Sequence, residues 1–420
     1  MRCQGWGVVF ALLLVAGCGK ESAPVARPPL GEAHREVVAQ SNSLALKTYA
    51  GLRDEPGNLV VSPYGLSLSL TMLLSGADGP TRDELLTLLG TTAKQEPQLH
   101  VTQGELQRWL TGGGAGGEQL DVAAAIFIQR DTDVLREFLK LLETQYQSEA
   151  EVVDFANQPA TARKVINDWA AEKSDGKIDT VVEPDDITAQ TRVMLASAVY
   201  FKGAWEHAFE RSGTKKQPFY IAAEESVDCE LMHQTEEFGY VHQDGVRVLV
   251  MPYRGRELSM VVILPDEKDG LSAVEEQLDD ETVASWIVAA EKNIVKLPVW
   301  LPRFKFESGH DLESTLVKLG ITTAFDPTEA DLSRIDGVRP TSAGAGRLYV
   351  DQIWQQALIE VNEEGTEAAA VTTIKSTETS TAPPDAPRFR ADHPFLFLIR
   401  ENANGLILFL GRVVDPSKAG

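Results

Sequence analysis

Hydrophobic positions recur with helical spacing through the first third of the chain. Leu66, Leu70 and Leu73 share one face of a segment that Ser62 caps, Pro63 opens and Gly76 ends. Thr81 and Glu84 have capping-box spacing ahead of Leu85, Leu86, Leu88 and Leu89, with Gly90 as the stop. Leu106 to Leu110 is also helical in period, and another helix runs through Val165, Ile166, Trp169 and Ala170 to close near Gly176. Farther along, the pattern becomes that of strands: Leu258 to Leu264, the alternation Val295, Leu297, Val299, Leu301, and the stretch Leu348 to Val361. Phe395 to Ile399 and Leu406 to Val414 flank Asn404 and Gly405, a hairpin turn pair. Helices gathered ahead of strands predict an α+β fold with antiparallel or mixed sheets. No linker, repeat or composition break interrupts Val37 to Pro416, so one large domain is expected over 37–416, with a short tail at 417–420.

The N-terminus follows a different pattern. An apolar run from Trp6 to Ala16 follows Arg2, too short to span a bilayer but right for the core of a signal peptide. Leu14, Val15, Ala16, Gly17 and Cys18 resemble a bacterial lipobox, so 1–17 is expected to be a lipoprotein signal and Cys18 the lipidated first residue of the mature chain. Gly19 follows, where an Asp usually retains lipoproteins at the inner membrane. The expected address is therefore outside the cytoplasm: outer membrane, cell surface or periplasm. Residues 19–36 contain Pro24, Pro28 and Pro29 without apolar periodicity and read as a tether, about 50 Å long if extended at about 3.1 Å per residue. With Cys3 in the signal and Cys18 taken by lipid, Cys229 stands alone in the folded part, which excludes a disulfide scaffold.

The 420 residues are 43% apolar and 24% charged, enough for a well-buried core and far from a disordered composition. A formal net charge of −23 repels nucleic acid and anionic headgroups, which leaves the lipid as the only expected membrane contact. Catalytic patterns are thin. Gly112, Gly114 and Gly117 match GxGxxG but follow a helical stretch instead of a strand, so they read as a surface insertion. The seven histidines show no metal-ligand spacing, and no GxSxG elbow occurs. Asp185 with Asp186 and Asp279 with Asp280 sit in a polar turn or a helix start, as solvated acids do. No catalytic residue, metal or cofactor is expected.

One segment has two characters. From Glu363 the chain reads EEGTEAAAVTTI, then KSTETSTAPPDAPR before strand character resumes at Phe389. With a period of two, Thr366, Ala368, Ala370, Thr372, Ile374 and Ser376 form an uncharged face of mostly small side chains, suited to a strand slipping between two others over a packed core. Pro383, Pro384 and Pro387 with the Ser and Thr cluster describe an exposed loop instead.

At this segment the sequence resembles the serpin family. Glu363, Glu364, Gly365, Thr366, Glu367, Ala368, Ala369 and Ala370 are similar to the hinge of inhibitory serpins. NLVVSP at 58–63 resembles the shutter, VYFKGAW at 199–205 includes the Trp205 that the family places in the breach of its large sheet, and MHQT at 232–235, MPYRG at 251–255, ELSMVVILP at 257–265, LPRFKFES at 301–308, ADHPFLFLI at 391–399 and FLGRVVDP at 409–416 resemble further serpin blocks. The resemblance implies three β-sheets, eight or nine helices and an exposed reactive-centre loop at about 363–388, held metastable until a protease acylates it and loop insertion traps the acyl-enzyme. It also implies a monomer with a target protease as partner. Where the family usually has Asn and His in the shutter, this chain has Ser197 and Gln355, while Ser62 is retained; an altered opening energy is expected. The helix that some relatives use to bind heparin falls at Gln98 to Leu110 with only His100 and Arg108, so glycosaminoglycan activation is not expected. The family's spacing from Glu363 puts the scissile bond after Thr379 and before Ser380, whereas counting back from Phe389 puts it one to several residues later. A small Thr379 at the bond points to elastase-like or subtilisin-like targets, and Glu378, one position earlier, would suit an acid-specific protease. Without insertion, a serpin of this kind would be a binding or carrier protein.

Overall fold

The computed structural model describes residues 30–112, 118–148, 150–340, 347–366 and 387–418. Its first helices are α1 (Glu32–Leu52), α2 (Pro63–Gly76), α3 (Gly79–Leu88) and α4 (Glu96–Thr111). Ser62 caps α2 as expected, its hydroxyl accepting from the Gly65 amide, and all of α2 is buried, which its apolar character all round requires. Shorter or more peripheral helices follow: α5 (Arg136–Leu141), α6 (Pro159–Lys173), α7 (Leu271–Glu275), α8 (Asp280–Lys292), α9 (Glu313–Lys318) and α10 (Ser333–Asp336). These ten segments exceed the expected eight or nine because α5, α7, α9 and α10 are each a turn or two long.

Two hydrogen-bonded networks contain the strands. The first runs β10 (Phe304–Asp311), β11 (Val350–Val361), β12 (Gly365–Thr366), β4 (Val193–Ala204), β2 (Gln119–Gln129) and β3 (Ala150–Val153), with β11 also pairing β4 directly and in parallel. The second contains β1 (Leu59–Val61), β15 (Ile407–Val413), β14 (Phe395–Glu401), β8 (Leu258–Pro265), β7 (Val246–Pro252), β6 (Ser226–Gln243), β9 (Ile294–Pro302) and β13 (Phe389–Arg390), with β5 (Lys215–Tyr220) on β6. Three sheets emerge once β6 is followed along its length. From Leu231 to Gly239 it pairs with β9, and from Gly239 onward with β7, so this strand changes partners at one glycine and joins two sheets into one network.

The six-stranded sheet is covered on both faces. Along β2, Val122, Ala124, Ile126 and Ile128 enter the main core, whereas Ala125 and Phe127 face the other way, against Ile166 and Ala170 of α6. Covered faces explain why Val193 to Phe201 is apolar without alternation.

Three sequence expectations change. Helix α1 starts at Glu32, five residues inside the stretch read as tether; all of those residues but Ala33 are polar, and they lie before the first buried pair, Val37 and Val38, so they carry no apolar period. Thr81 and Glu84 are not the cap of α3, which begins at Gly79. Glu84 accepts instead from the amides of Thr322 and Thr323, and the Thr81 hydroxyl accepts from the Asp331 amide. Asn404 and Gly405 do not make a two-residue hairpin: the strands end at Glu401 and resume at Ile407, and only Gly405, at φ +80°, is left-handed. Asp279 does start a helix, accepting from the Thr282 amide at 2.7 Å. Gly112 ends α4, and Gly114 and Gly117 lie outside the described residues.

Candidate functional site

The site forms where β11 and β4 run side by side. At mid-strand, Gln355 of β11 stands opposite Ser197 of β4, and the first turn of α2 closes against both. The Gln355 side-chain amide embraces a single residue: its Oε1 accepts from the Ser62 N–H at 2.8 Å, and its Nε2 donates to the Ser62 carbonyl at 2.7 Å. A longer contact of 3.5 Å runs from Nε2 to the Ser197 hydroxyl. Ser62 Oγ donates to the Leu408 carbonyl at 2.8 Å, which falls where a bulge interrupts the β14–β15 ladder. All three side chains are buried. Ser62, Ser197 and Gln355 thus meet, with the glutamine taking both sides of one peptide residue and its contact to the Ser197 hydroxyl a weak one.

Above this point the strands part and the hinge enters. Asn362 turns the chain after β11, its Oδ1 accepting from the amides of Glu364 and Gly365 at 3.0 and 3.2 Å. Gly365 and Thr366 then lie as β12 between the two strands: Thr366 pairs with Val361 on one side and Gly203 on the other. Gly365 has φ +153°, and a Cβ there would sit 2.0 Å from the Gly203 carbonyl oxygen, so no other residue fits this slot. The hinge was expected outside the sheet in the uncleaved chain. Gly365 and Thr366 instead lie paired between β11 and β4, because Gly365 permits the close approach and Thr366 is small enough to be buried.

Side chains from distant parts of the chain hold this start. Trp205 donates from Nε1 to the Asn362 carbonyl at 3.0 Å, and the Trp205 and Phe209 amides donate to the carbonyls of Glu364 and Glu363 at 2.9 and 2.8 Å. Glu363 is buried; it accepts from the Thr214 hydroxyl at 2.7 Å and pairs with Arg303 at 3.2 Å. Glu364 pairs with Arg211 at 2.6 Å. Tyr253 stacks flat on Trp205, with ring centroids 4.6 Å apart, and meets Phe201 edge to face at 4.9 Å. Burial drives the Tyr253 phenol far above its ordinary pKa, with the Thr366 hydrogen bond acting against that, so it is a neutral hydroxyl here.

Glu363, Glu364, Gly365 and Thr366, read from the sequence as a hinge, and Trp205, read as a breach residue, therefore converge. Glu367, Ala368, Ala369, Ala370, the bond between Thr379 and Ser380, and Cys18 lie outside the described residues. Tyr253, Asn362, Thr214 and Arg303 were not singled out from the sequence. Tyr253 and Arg303 stood inside the blocks MPYRG and LPRFKFES, but nothing local to those blocks shows that they face residues more than 50 positions away.

Known proteins share this architecture. The profile of the serpin (serine protease inhibitor) family matches residues 39–416. Leukocyte elastase inhibitor of Homo sapiens is 35% identical over 390 residues, covering 91% of this chain and all of that protein. Serpin B6 of Macaca fascicularis is 35% identical over 387 residues with the same coverage. Among solved structures, Serpin48 of the insect Tenebrio molitor superposes with a TM-score of 0.78 at 29% identity, over 92% of this chain and all of that one. Human thyroxine-binding globulin superposes with a TM-score of 0.81 at 26% identity, over the same shares. With this family profile over nearly the whole folded chain and relatives of this identity, this chain belongs to the serpin family.

Proposed function

We propose that the protein is a suicide-substrate inhibitor of serine endopeptidases, with cysteine endopeptidases as a second class of target, and that it works from a lipid anchor outside the cytoplasm. The observation that carries this reading is β12: a hinge of small residues, begun by the one glycine the slot admits, already paired on both sides between β11 and β4. A strand so started can lengthen only by threading Ala368, Ala370 and the uncharged positions after them into the same gap. The protease attacks the bond between Thr379 and Ser380, forms an acyl-enzyme with the Thr379 carbonyl, and is carried along as the cleaved strand inserts. The inhibitor contributes no catalytic residue, since the trapped protease's own nucleophile makes the ester bond. Relatives named elastase inhibitors and a small Thr379 both favour elastase-like or subtilisin-like enzymes.

The test is incubation with elastase, subtilisin and trypsin, followed by denaturing gels and sequencing of the released C-terminal peptide. A denaturant-resistant complex with the first two, a new N-terminus at Ser380 and a cleaved form that melts well above the uncleaved one are expected. Cleavage without trapping and without gain in melting temperature leaves the carrier reading, which the likeness to a thyroxine-binding globulin favours. For the anchor, Cys18→Ser should release the protein from membranes, because multiple acyl chains give the stable attachment that one cannot; unchanged fractionation rules the anchor out.

A further inference from the structure

A cavity of about 420 Å³ opens beside β13, lined by Arg247 of β7, Trp300 of β9, and Arg388, Arg390, Asp392 and His393. Strand register builds it. Trp300 stands opposite His233 of β6 on one side and Arg390 of β13 on the other, so three neighbouring strands contribute one row of side chains. The His233 ring meets the indole at 4.5 Å between centroids, and the Arg390 guanidinium lies over it at 5.6 Å. Phe389 turns into the core, which leaves Arg388 on the same side of the chain as Arg390.

Donors outnumber acceptors around this cavity. Asp392 is used twice, by Arg390 Nε at 2.7 Å and by His393 Nδ1 at 3.0 Å, while the other ring nitrogen of His393 lies 2.9 Å from the Pro265 carbonyl. Asp266 is likewise shared, between His242 at 2.8 Å and Arg247 at 2.9 Å. Arg390 gives an Nη2 hydrogen to the Gln217 side chain at 2.6 Å. Both carboxylates are thus spent, and what is left over among the described residues can only donate: Nη1 of Arg390, Nε and Nη1 of Arg247, and the whole fork of the exposed Arg388, which has no hydrogen bond or ion pair there. The surplus is felt next door, where His233 is held below its ordinary pKa by burial first and then by the charges of Lys215 and Arg390. In a chain of formal net charge −23, three arginines converging with too few carboxylates stand apart from the rest of the surface.

We propose that this cavity binds a flat organic oxyanion, an aryl phosphate or aryl carboxylate, with its anionic oxygens received by Arg388 and the unused donors of Arg247, and its ring against Trp300 and the guanidinium plane of Arg390. A guanidinium fork matches two oxygens of a carboxylate or phosphate, and its plane stacks on flat rings, so one residue type serves both ends of such a ligand. The volume is that of a small-ligand site and leaves room for more than a bare inorganic ion. Nothing in this inference requires loop insertion.

Phenyl phosphate and benzoate, titrated calorimetrically into the intact protein at physiological ionic strength, test this. One-to-one saturable binding of at least one is expected, and the tighter of the two assigns the anionic group. Arg388→Ala should weaken it by about tenfold, as loss of a charge-assisted bond implies, and Arg388→Lys, which keeps the charge without the fork, should recover only part. Because Arg388 is exposed, its truncation should leave the melting temperature of the free protein unchanged, while ligand should raise that temperature in wild type and much less in the variant. Lys164→Ala, which removes an exposed cation on α6, should leave binding unaltered. The proposal is overturned if neither compound saturates, if Arg388→Ala binds as tightly as wild type, or if inorganic phosphate binds as tightly as phenyl phosphate, which would make this an adventitious anion contact only.

Discussion

The hydroxyl of Tyr253 lies 2.7 Å from Oγ1 of Thr366, and both side chains are buried. Tyr253 follows β7 in the larger network, whereas Thr366 is the second residue of the two-residue strand between β4 and β11. The bond therefore ties Thr366 to a side chain of the neighbouring sheet that stacks on Trp205 and meets Phe201 edge to face. If the proposed insertion occurs, it starts from this position, held by the hydroxyl pair and Gly365 together with the contacts of Trp205, Arg303 and Arg211.

Tyr253→Phe should test this bond with the stack preserved. It leaves Thr366 Oγ1 buried without its partner, a loss of about 1–3 kcal/mol. Urea unfolding of the uncleaved protein should show that drop. The ratio of trapped to merely cleaved protease should fall too, because a hinge that leaves its slot must re-enter after acylation. Equal stability and equal trapping would mean the bond has no energetic role.

Gln355 offers a second point of control. Truncation by Gln355→Ala leaves the buried N–H of Ser62 without a partner and its carbonyl with only the Leu66 amide, at a cost of about 1–3 kcal/mol. Because those two bonds join α2 to β11, the strands should separate more easily, and the uncleaved form should melt lower while the cleaved form changes less. Gln355→His should not rescue it, since an imidazole cannot offer a donor and an acceptor side by side to one residue. A melting temperature equal to wild type in Gln355→His would show that the paired geometry is dispensable.

The helices and strands with a clear period were legible because burial dictates them locally: Ser62 and Pro63 start α2, and the alternation from Val295 to Leu301 is β9. Strand character at the start of 363–388 was legible too, since Gly365 and Thr366 are small and uncharged enough to be buried. What could not be read is where partners come from. Thr81 and Glu84 have the spacing of a helix cap, yet the fold brings Thr322, Thr323 and Asp331 to them from about 240 residues away, and those amides take the bonds. Tyr253 and Thr366 are 113 residues apart. Long-range hydrogen bonds leave no periodic trace, so Thr366 stood out in the sequence and its partner Tyr253 did not.

Acid stability should report on Glu96, whose carboxylate is nearly buried between α3, α4 and α10. Burial alone would raise its pKa; bonds from His100, Arg82 and Arg334 outweigh that and bring it down to about 2. A carboxyl whose pKa falls on folding stabilises the fold above its unfolded value, near 4.3, and that contribution disappears as pH drops toward 2. Wild type should therefore lose stability through this window more steeply than Glu96→Gln, whose starting stability is lower. Parallel pH profiles for the two proteins would place the acid sensitivity elsewhere.

Thr366→Arg separates cleavage from trapping. In the uncleaved protein Thr366 is 1% exposed, between Gly203 and Val361 and against Tyr253, so an arginine cannot stay there without burying an unpaired cation, a cost of several kcal/mol even after relaxation. The cheaper outcome is expulsion of β12, which forfeits two residues of pairing and leaves the rest of the fold intact; the uncleaved variant should fold, with a modestly lower melting temperature. Recognition by the protease depends on residues near Thr379, so the bond should still be cut at the wild-type rate. After acylation the strand must push the same arginine past the breach before any later residue can enter. Deacylation should win that race, giving free active protease, an intact cut inhibitor and little covalent complex. Thr366→Ser, which keeps the hydroxyl for Tyr253, should trap normally. Should Thr366→Arg trap protease as efficiently as wild type, insertion does not pass through this slot, and β12 has no part in inhibition.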